Sequence, residues 1–107
     1  MANFDVADVA TAVLNAAKGA AGDTWSKIQH DFGSDLGLVL RNAANIAQQL
    51  ETGQISEAEA QVLLRNQSSI LFILTQEVDE DSKLIVQNAI NAAIDALWAA
   101  VKTAAGL

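Results

Sequence analysis

Apolar and polar residues alternate along the chain with the period of an α-helix. In the first segment, residues 3–21, apolar positions recur every three or four residues, while Asn15 and Lys18 lie on the opposite side. The apolar positions are Val6, Val9, Ala10, Val13, Ala16 and Ala17. Asn3 precedes them and is a candidate N-cap, because its side chain can accept a hydrogen bond from a free backbone N–H. The pattern predicts an amphipathic first helix with small apolar side chains.

The second apolar stripe is longer and covers residues 23–52. Its positions recur at intervals close to those of a coiled-coil seam: Trp25, Ile28, Phe32, Leu36, Val39, Ala43, Ile46 and Leu50. Asp23 or Thr24 is the predicted N-cap. Gly33 and Gly37 lie inside the stripe, and glycine often follows the last residue of a helix. We therefore expect a second helix that is kinked or broken near residues 33–37.

The boundary before the third segment is the clearest in the sequence. Gly53 follows the second stripe, and glycine suits the left-handed residue after a helix. Ser56 and Glu59 have the spacing of a capping box, in which each side chain accepts a backbone N–H at the helix start. The third helix is therefore predicted over residues 56–78. Because the connection is short, this helix is expected to run antiparallel to the second.

The third segment contains five consecutive apolar residues, Ile70 to Leu74. On a helix this run covers more than one face, so a single neighbouring helix cannot cover it. Leu63, Ile70 and Leu74 share the predicted core face, whereas Phe72 and Ile73 fall among polar positions. We favour an interpretation in which Phe72 and Ile73 are buried between other helices of a bundle. The alternative is that both side chains contact a partner or another subunit.

The last segment follows an acidic run from Glu77 to Asp81. Residues 77–82 either form a turn or continue one long helix, and we favour a turn because a long rod would expose much apolar surface. The last helix is predicted over residues 82–105, ended by Gly106 and buried through a seam formed by Val86, Ile90, Ala93, Ile94, Leu97, Val101 and Ala104. Trp98 lies on its outer side, at the boundary of the core or at an interface.

Composition supports an all-α fold. Proline is absent, hydrophobic residues make up 51% of the chain, and many of them are alanine, which has the highest helix propensity. Few segments resemble β-strands, which favour β-branched and aromatic residues. We expect a single helical domain, residues 1–107, folded as a compact antiparallel bundle of four or five helices.

The net charge and the absence of cysteine exclude several classes of function. The net charge is −7 and the six basic residues are scattered, whereas a nucleic-acid surface requires a basic stripe. The absence of cysteine excludes a disulfide framework and a thiolate nucleophile. Asp5 and Asp8 interrupt the region where a signal peptide would be apolar, and the first basic residue is Lys18. We expect a cytoplasmic location, with export without a cleaved leader left open.

Candidate chemical groups form no catalytic motif. His30 is the only histidine, and Ser34 would share its helix face, but a nucleophile-elbow sequence is absent. Asp31 and Asp35, like the acidic run, lack the pattern of a calcium loop. Helix capping and solvated charge explain these carboxylates more simply. We expect neither catalysis nor a cofactor nor a metal site.

The sequence favours a non-enzymatic helical module that acts by self-association or by docking a helix of a partner protein. The candidate interface residues are Phe72, Ile73, Trp98 and Trp25, because a simple amphipathic bundle would leave such positions polar. One alternative is a membrane-active protein whose helices leave a soluble bundle and enter a bilayer. A constitutive span is not expected, since Asp95 interrupts residues 84–101. A weaker alternative is a carrier of an apolar ligand.

Overall fold

The computed structural model describes residues 4–106, and every regular element in this range is helical. The elements in chain order are α1 (Val6–Ala21), a 3₁₀ turn (Gly22–Thr24), α2 (Trp25–Glu51), α3 (Glu57–Asn66), α4 (Ser68–Phe72), a second 3₁₀ turn (Ile73–Glu77) and α5 (Glu80–Ala104). The all-α prediction is confirmed. The expected count of four or five helices is approximate, because α3, α4 and the second 3₁₀ turn together take the place of one helix.

Local hydrogen bonds define the helix starts. The capping box is present: the Glu59 N–H donates to Ser56 Oγ at 3.1 Å, and the Ser56 N–H donates to Glu59 Oε1 at 3.2 Å. At the start of α1, the Asp8 N–H donates to Asp5 Oδ1 at 3.2 Å. Asp5 is thus the N-cap of α1, while the predicted cap, Asn3, lies outside the described residues. Side chains within one turn of each start therefore set these boundaries.

Two predicted boundaries at glycines are confirmed, and so is the predicted turn after the third segment. Gly53 has a φ of 78° and Gly106 a φ of 82°, the left-handed conformation in which a side chain would be strained. They follow the ends of α2 and α5. The expected turn after the third segment is also present, because Val78 is extended and Asp79 caps α5 by accepting the Ser82 N–H at 3.1 Å.

The break expected near residues 33–37 is absent. α2 is one uninterrupted helix, and Thr24 precedes it without a capping hydrogen bond from its side chain. Gly33 and Gly37 are exposed, and apart from the adjacent residues and the nearby backbone of α2 no atom lies within 4 Å of the position a Cβ would occupy at either. The helix continues because Phe32 and Leu36 are both buried on its inner side. Each buried side chain stabilises the helix by more than the roughly 1 kcal/mol that an interior glycine costs.

The third segment is divided rather than forming one helix. α3 ends at Asn66, Gln67 is a turn residue, and α4 tightens at Ile73 into the 3₁₀ turn. Asn42 Nδ2 of α2 donates a hydrogen bond to Gln67 Oε1 at 2.7 Å. This hydrogen bond connects the residue between α3 and α4 to the neighbouring helix. A 3₁₀ turn has three residues per turn, so residues three apart share a face. That geometry suits Leu71 and Leu74, which are both fully buried.

The core lies between α1, α2 and α5, with α3 and α4 completing it. All seven predicted seam positions of α5 are buried, and so are the predicted positions of α2 between Ile28 and Ile46. α1 packs most extensively on α5, through small side chains that include Val13 and Ala17. The resulting body measures 43 × 23 × 18 Å along its principal axes. Its longest dimension reflects the lengths of α2 and α5.

Candidate functional site

The candidate site is the outer surface of residues 57–77, here termed the central segment. Its inward side is formed by only a few buried side chains, namely Ala60, Leu64, Leu71 and Leu74. They pack towards α2 and α5, which contact the central segment on its inner flanks. Ile70 is partly buried against the core, whereas Val62, Leu63, Phe72 and Ile73 are exposed. Apolar side chains on this surface are therefore exposed to solvent.

Phe72 and Ile73 are exposed, at 36% and 58% of their full accessible surface. The favoured expectation that helices of the bundle bury both side chains is therefore wrong. Leu71 and Leu74 occupy the two inward positions, and neighbouring residues in a helix point about 100° apart. Phe72 and Ile73 consequently cannot face the same way as Leu71 and Leu74. The neighbouring helices cover one side of the run and leave the other to solvent.

α3 carries a second exposed apolar pair that the sequence interpretation missed. Val62 is 58% exposed, and Leu63, predicted for the core face, is 39% exposed. Together with Ala58 and Glu59 they line a shallow surface groove of about 400 Å³. A signal was available, because Val62, Leu63 and Leu64 are consecutive apolar residues and cannot all point inward on a helix. Leu64 takes the inward position and is fully buried.

Charges are arranged asymmetrically around Val62. Glu57 and Glu59 lie in the first turn of α3, and Arg65 lies in its last turn. This order suits the helix dipole, which favours negative charge at the N-terminus and positive charge at the C-terminus. Glu59 retains one carboxylate oxygen beyond the one that accepts the Ser56 N–H. The exposed valine thus lies between an acidic end and a basic end of the same helix.

More apolar side chains are exposed at the opposite end of the bundle from the α2–α3 loop. Leu84 is 66% exposed and Ile85 is 37% exposed, in the first two turns of α5. Only two residues separate the second 3₁₀ turn from α5, and the two elements contact each other. Leu84 and Ile85 therefore lie at the same end of the molecule as Phe72 and Ile73. Neither had been singled out from the sequence.

The two tryptophans predicted as interface residues pack at the rim of the core. Trp98 is half-buried, and Lys102 Nζ lies 5.8 Å from its ring centroid, within the range of a cation–π contact. Trp25 is also half-buried, and its ring meets the ring of Phe32 edge-on, with centroids 5.3 Å apart. Both indoles are thus engaged within the chain, unlike Phe72 and Ile73.

The remaining polar groups perform local roles. His30 and Ser34 are exposed, and no hydrogen bond joins them in residues 4–106. Hydrogen bonds from the side chain and backbone N–H of Ser82 lower the pKa of Asp79 from its ordinary value, as expected of a helix cap. The side chain of Glu77 lies outside the described part of the acidic run. In the described range, no three His, Asp or Glu side chains gather as a metal ion would require.

Two further depressions lie on the described surface. A groove of about 470 Å³ between α1 and α5 is lined by four alanines together with Asp5, Asp8, Val9 and Thr103. A cleft beside Trp98 holds only about 10 Å³.

By length and composition alone, α5 could cross a bilayer, with a mean hydropathy of 1.4 over its most apolar window, of which 39% is buried. Core helices of globular proteins meet the same criterion.

Comparison with known proteins finds no match for this chain among family models, curated proteins or solved structures.

Proposed function

We propose that the protein is a non-enzymatic helical assembly module that pairs the outer apolar surface of its central segment with another helix. One observation carries this proposal. Val62 and Ile73 are each 58% exposed, and each has an exposed apolar neighbour, Leu63 and Phe72. Exposed apolar side chains that stand in pairs along one segment are characteristic of protein interaction surfaces.

The small apolar area of this surface limits the affinity of such a contact. Fully burying a side chain of this kind contributes about 1.5–3 kcal/mol, and these four side chains are already about half covered. The apolar gain is therefore about 4 kcal/mol, at the lower end of what association costs in lost freedom of motion. Polar contacts at the rim must add to it. A reversible contact with micromolar or weaker affinity is expected.

The kind of contact follows from the shape of the segment. Helix-in-groove recognition uses several apolar anchors along one segment, and Val62 and Ile73 lie on the two sides of the division at Gln67. Trp98 and Trp25 contribute less, because each indole already packs against Lys102 or Phe32. The proposal therefore assigns the anchoring role to the central segment and a supporting role to the two tryptophans.

The test is a sedimentation-velocity series over the micromolar range, combined with photo-crosslinking from a photo-reactive residue that replaces Phe72, with Ile73 or Lys at position 73. Wild-type protein is expected to self-associate or to form a discrete adduct, and Ile73→Lys is expected to remove either effect. Asn15→Lys is the matched control, because Asn15 is exposed on α1, which does not contact the central segment, and the substitution adds the same charge. A wild-type protein that stays monomeric and forms no adduct contradicts the proposal.

A second candidate is membrane insertion, which the length and hydropathy of α5 favour. Insertion would require α5 to leave the core, where Leu97 and Val101 are fully buried. Flotation and dye-leakage assays with neutral and anionic vesicles, at neutral and acidic pH, test it. Binding that appears as the carboxylates become neutral supports insertion. No binding to any vesicle at either pH contradicts it.

A further inference from the structure

The outer face of α3 has a charge pattern that complements itself. Val62 is more exposed than Leu63, the other large apolar residue of the groove, and lies near the middle of the helix. Glu59 lies three residues before it and Arg65 three residues after it. On a helix, positions three before and three after a residue lie about 60° to either side of it, so all three share one face. The core-facing residues, Ala60 and Leu64, lie on the opposite face.

We propose that the occupant of this face is a second copy of the chain, paired through α3 in an antiparallel arrangement around a two-fold axis at Val62. This inference deepens the proposed function, on which it rests, by naming the partner. In such a pair, a residue before Val62 faces the equally distant residue after Val62 in the other copy. Glu59 then faces Arg65 of the second copy, and the same contact occurs twice.

Charge selects this arrangement over the others. A parallel pairing of the same faces would place Glu59 against Glu59 and Arg65 against Arg65, which is repulsive. A partner of uniform charge would meet one favourable and one unfavourable end of α3. Of these arrangements, the two-fold antiparallel pair places an opposite charge against both ends of α3.

The local geometry allows this contact. Packed helices lie about 8–10 Å apart, and the small side chain of Ala58 in the groove permits such an approach. At that distance the long side chains of Glu and Arg can meet across the pair. Val62 provides apolar contact on the axis, with Leu63 at the flank. Exposed ion pairs contribute little affinity, so the charges mainly set the direction of pairing.

The test uses charge reversal in two separate chains. Glu59→Arg leaves two bases on the face, and Arg65→Glu leaves two acids, so each variant alone opposes like charges. Each is expected to weaken self-association about tenfold or more. Mixing the two variants pairs opposite charges again and is expected to restore association to the wild-type level. The double reversal in one chain is expected to do the same.

Two controls separate pairing from folding and from overall charge. Glu59→Arg also removes the capping box, so its melting temperature is measured, whereas Arg65→Glu leaves the box intact. Arg41→Glu changes the net charge equally at an exposed position of α2 and is expected to leave association unchanged. If Arg41→Glu weakens association as much as Arg65→Glu, overall repulsion explains the effect and the proposal is overturned.

The remaining outcomes separate this inference from the proposed function. If both reversals associate like wild type, or their mixture is not restored, pairing through α3 is wrong. If Val62→Lys leaves association intact while Ile73→Lys removes it, the assembly surface is elsewhere on the central segment and the proposed function stands. A monomeric chain that still forms an adduct through a photo-reactive residue at position 72 overturns self-pairing alone. A monomeric chain without an adduct overturns both.

Discussion

α5 and the central segment are similar in length and both contain many apolar residues, but the fold uses them differently. All seven seam positions predicted for α5 are buried, from Val86 to Ala104. The central segment buries four apolar residues and exposes four others, two of them by more than half. α5 is one regular helix, whereas the central segment is divided into α3, α4 and a 3₁₀ turn.

The difference lies in the spacing of the apolar residues rather than in their number. From Val86 onward, the large aliphatic residues of α5 recur every three or four positions and form one stripe, whereas the short run at residues 84–86 leaves Leu84 and Ile85 exposed. In the central segment the large apolar residues occur in consecutive runs, residues 62–64 and 70–74, which extend around the helix. A bundle of this size covers one side of such a run. A stripe is thus buried completely, while a run is buried in part and leaves an apolar surface outside.

The largest expected effect is in α5. Leu97 is fully buried, so Leu97→Ala is expected to lower the free energy of unfolding by about 3–5 kcal/mol through lost burial and a cavity. Leu84→Ala is the matched control, because Leu84 is 66% exposed in the same helix and should change stability by less than about 0.5 kcal/mol. Urea unfolding measures both. Equal effects would contradict the assignment of inner and outer faces in α5.

The same contrast is expected between adjacent residues of the central segment. Leu74→Ala removes a fully buried side chain and should lower the free energy of unfolding by about 2–3 kcal/mol, since an irregular turn relaxes more easily than α5. Ile73→Ala should change it by less than about 0.5 kcal/mol, because Ile73 is mostly exposed. Chemical denaturation distinguishes them. A large loss in Ile73→Ala would restore the original expectation that this residue belongs to the core.

A smaller change in the free energy of unfolding is expected where the central segment is divided. Asn42→Ala removes the donor to Gln67 and should destabilise the protein by about 1 kcal/mol. A double-mutant cycle with Gln67→Ala should yield a coupling energy of about 0.5–1 kcal/mol. Asn45→Ala, at an exposed position of the same helix, is the control. Without measurable coupling, the hydrogen bond to α2 does not determine where α3 ends.

Effects of similar size are expected at two of the N-caps, Asp79 and Ser56. Asp79→Ala should lower Tm by a few degrees near neutral pH, since α5 loses its cap. The pKa of Asp79 is lower in the folded state than its ordinary value of 3.8, so its contribution to stability is complete above that value and is lost as pH falls through the folded pKa. The difference from wild type should therefore shrink in strong acid.

Ser56→Ala provides the contrasting case at the start of the central segment. It should destabilise the protein by about 1 kcal/mol, and the serine hydroxyl itself does not titrate. Thermal unfolding followed by circular dichroism between neutral and acidic pH compares the two caps. If the effect of Asp79→Ala persisted in strong acid while that of Ser56→Ala vanished, the roles assigned to the caps would be reversed.

The sequence by itself determined the helical class, most helix ends and the seams of α2 and α5. The capping box of Ser56 and Glu59, the left-handed Gly53 and Gly106, and the cap at Asp79 all depend on atoms within about one turn of each other. The information for these helix ends is therefore contained in neighbouring residues of the sequence. A regular apolar stripe is equally local, because its period alone fixes which side faces inward.

The tertiary structure alone decided which apolar residues remain outside. Whether Phe72 and Ile73 are buried depends on how far α2 and α5 extend around the central segment, and Leu63 was misplaced for the same reason. The continuity of α2 through Gly33, and the division at Gln67, likewise depend on packing against distant residues. Exposure results from long-range contacts between helices, and no window of neighbouring residues contains that information.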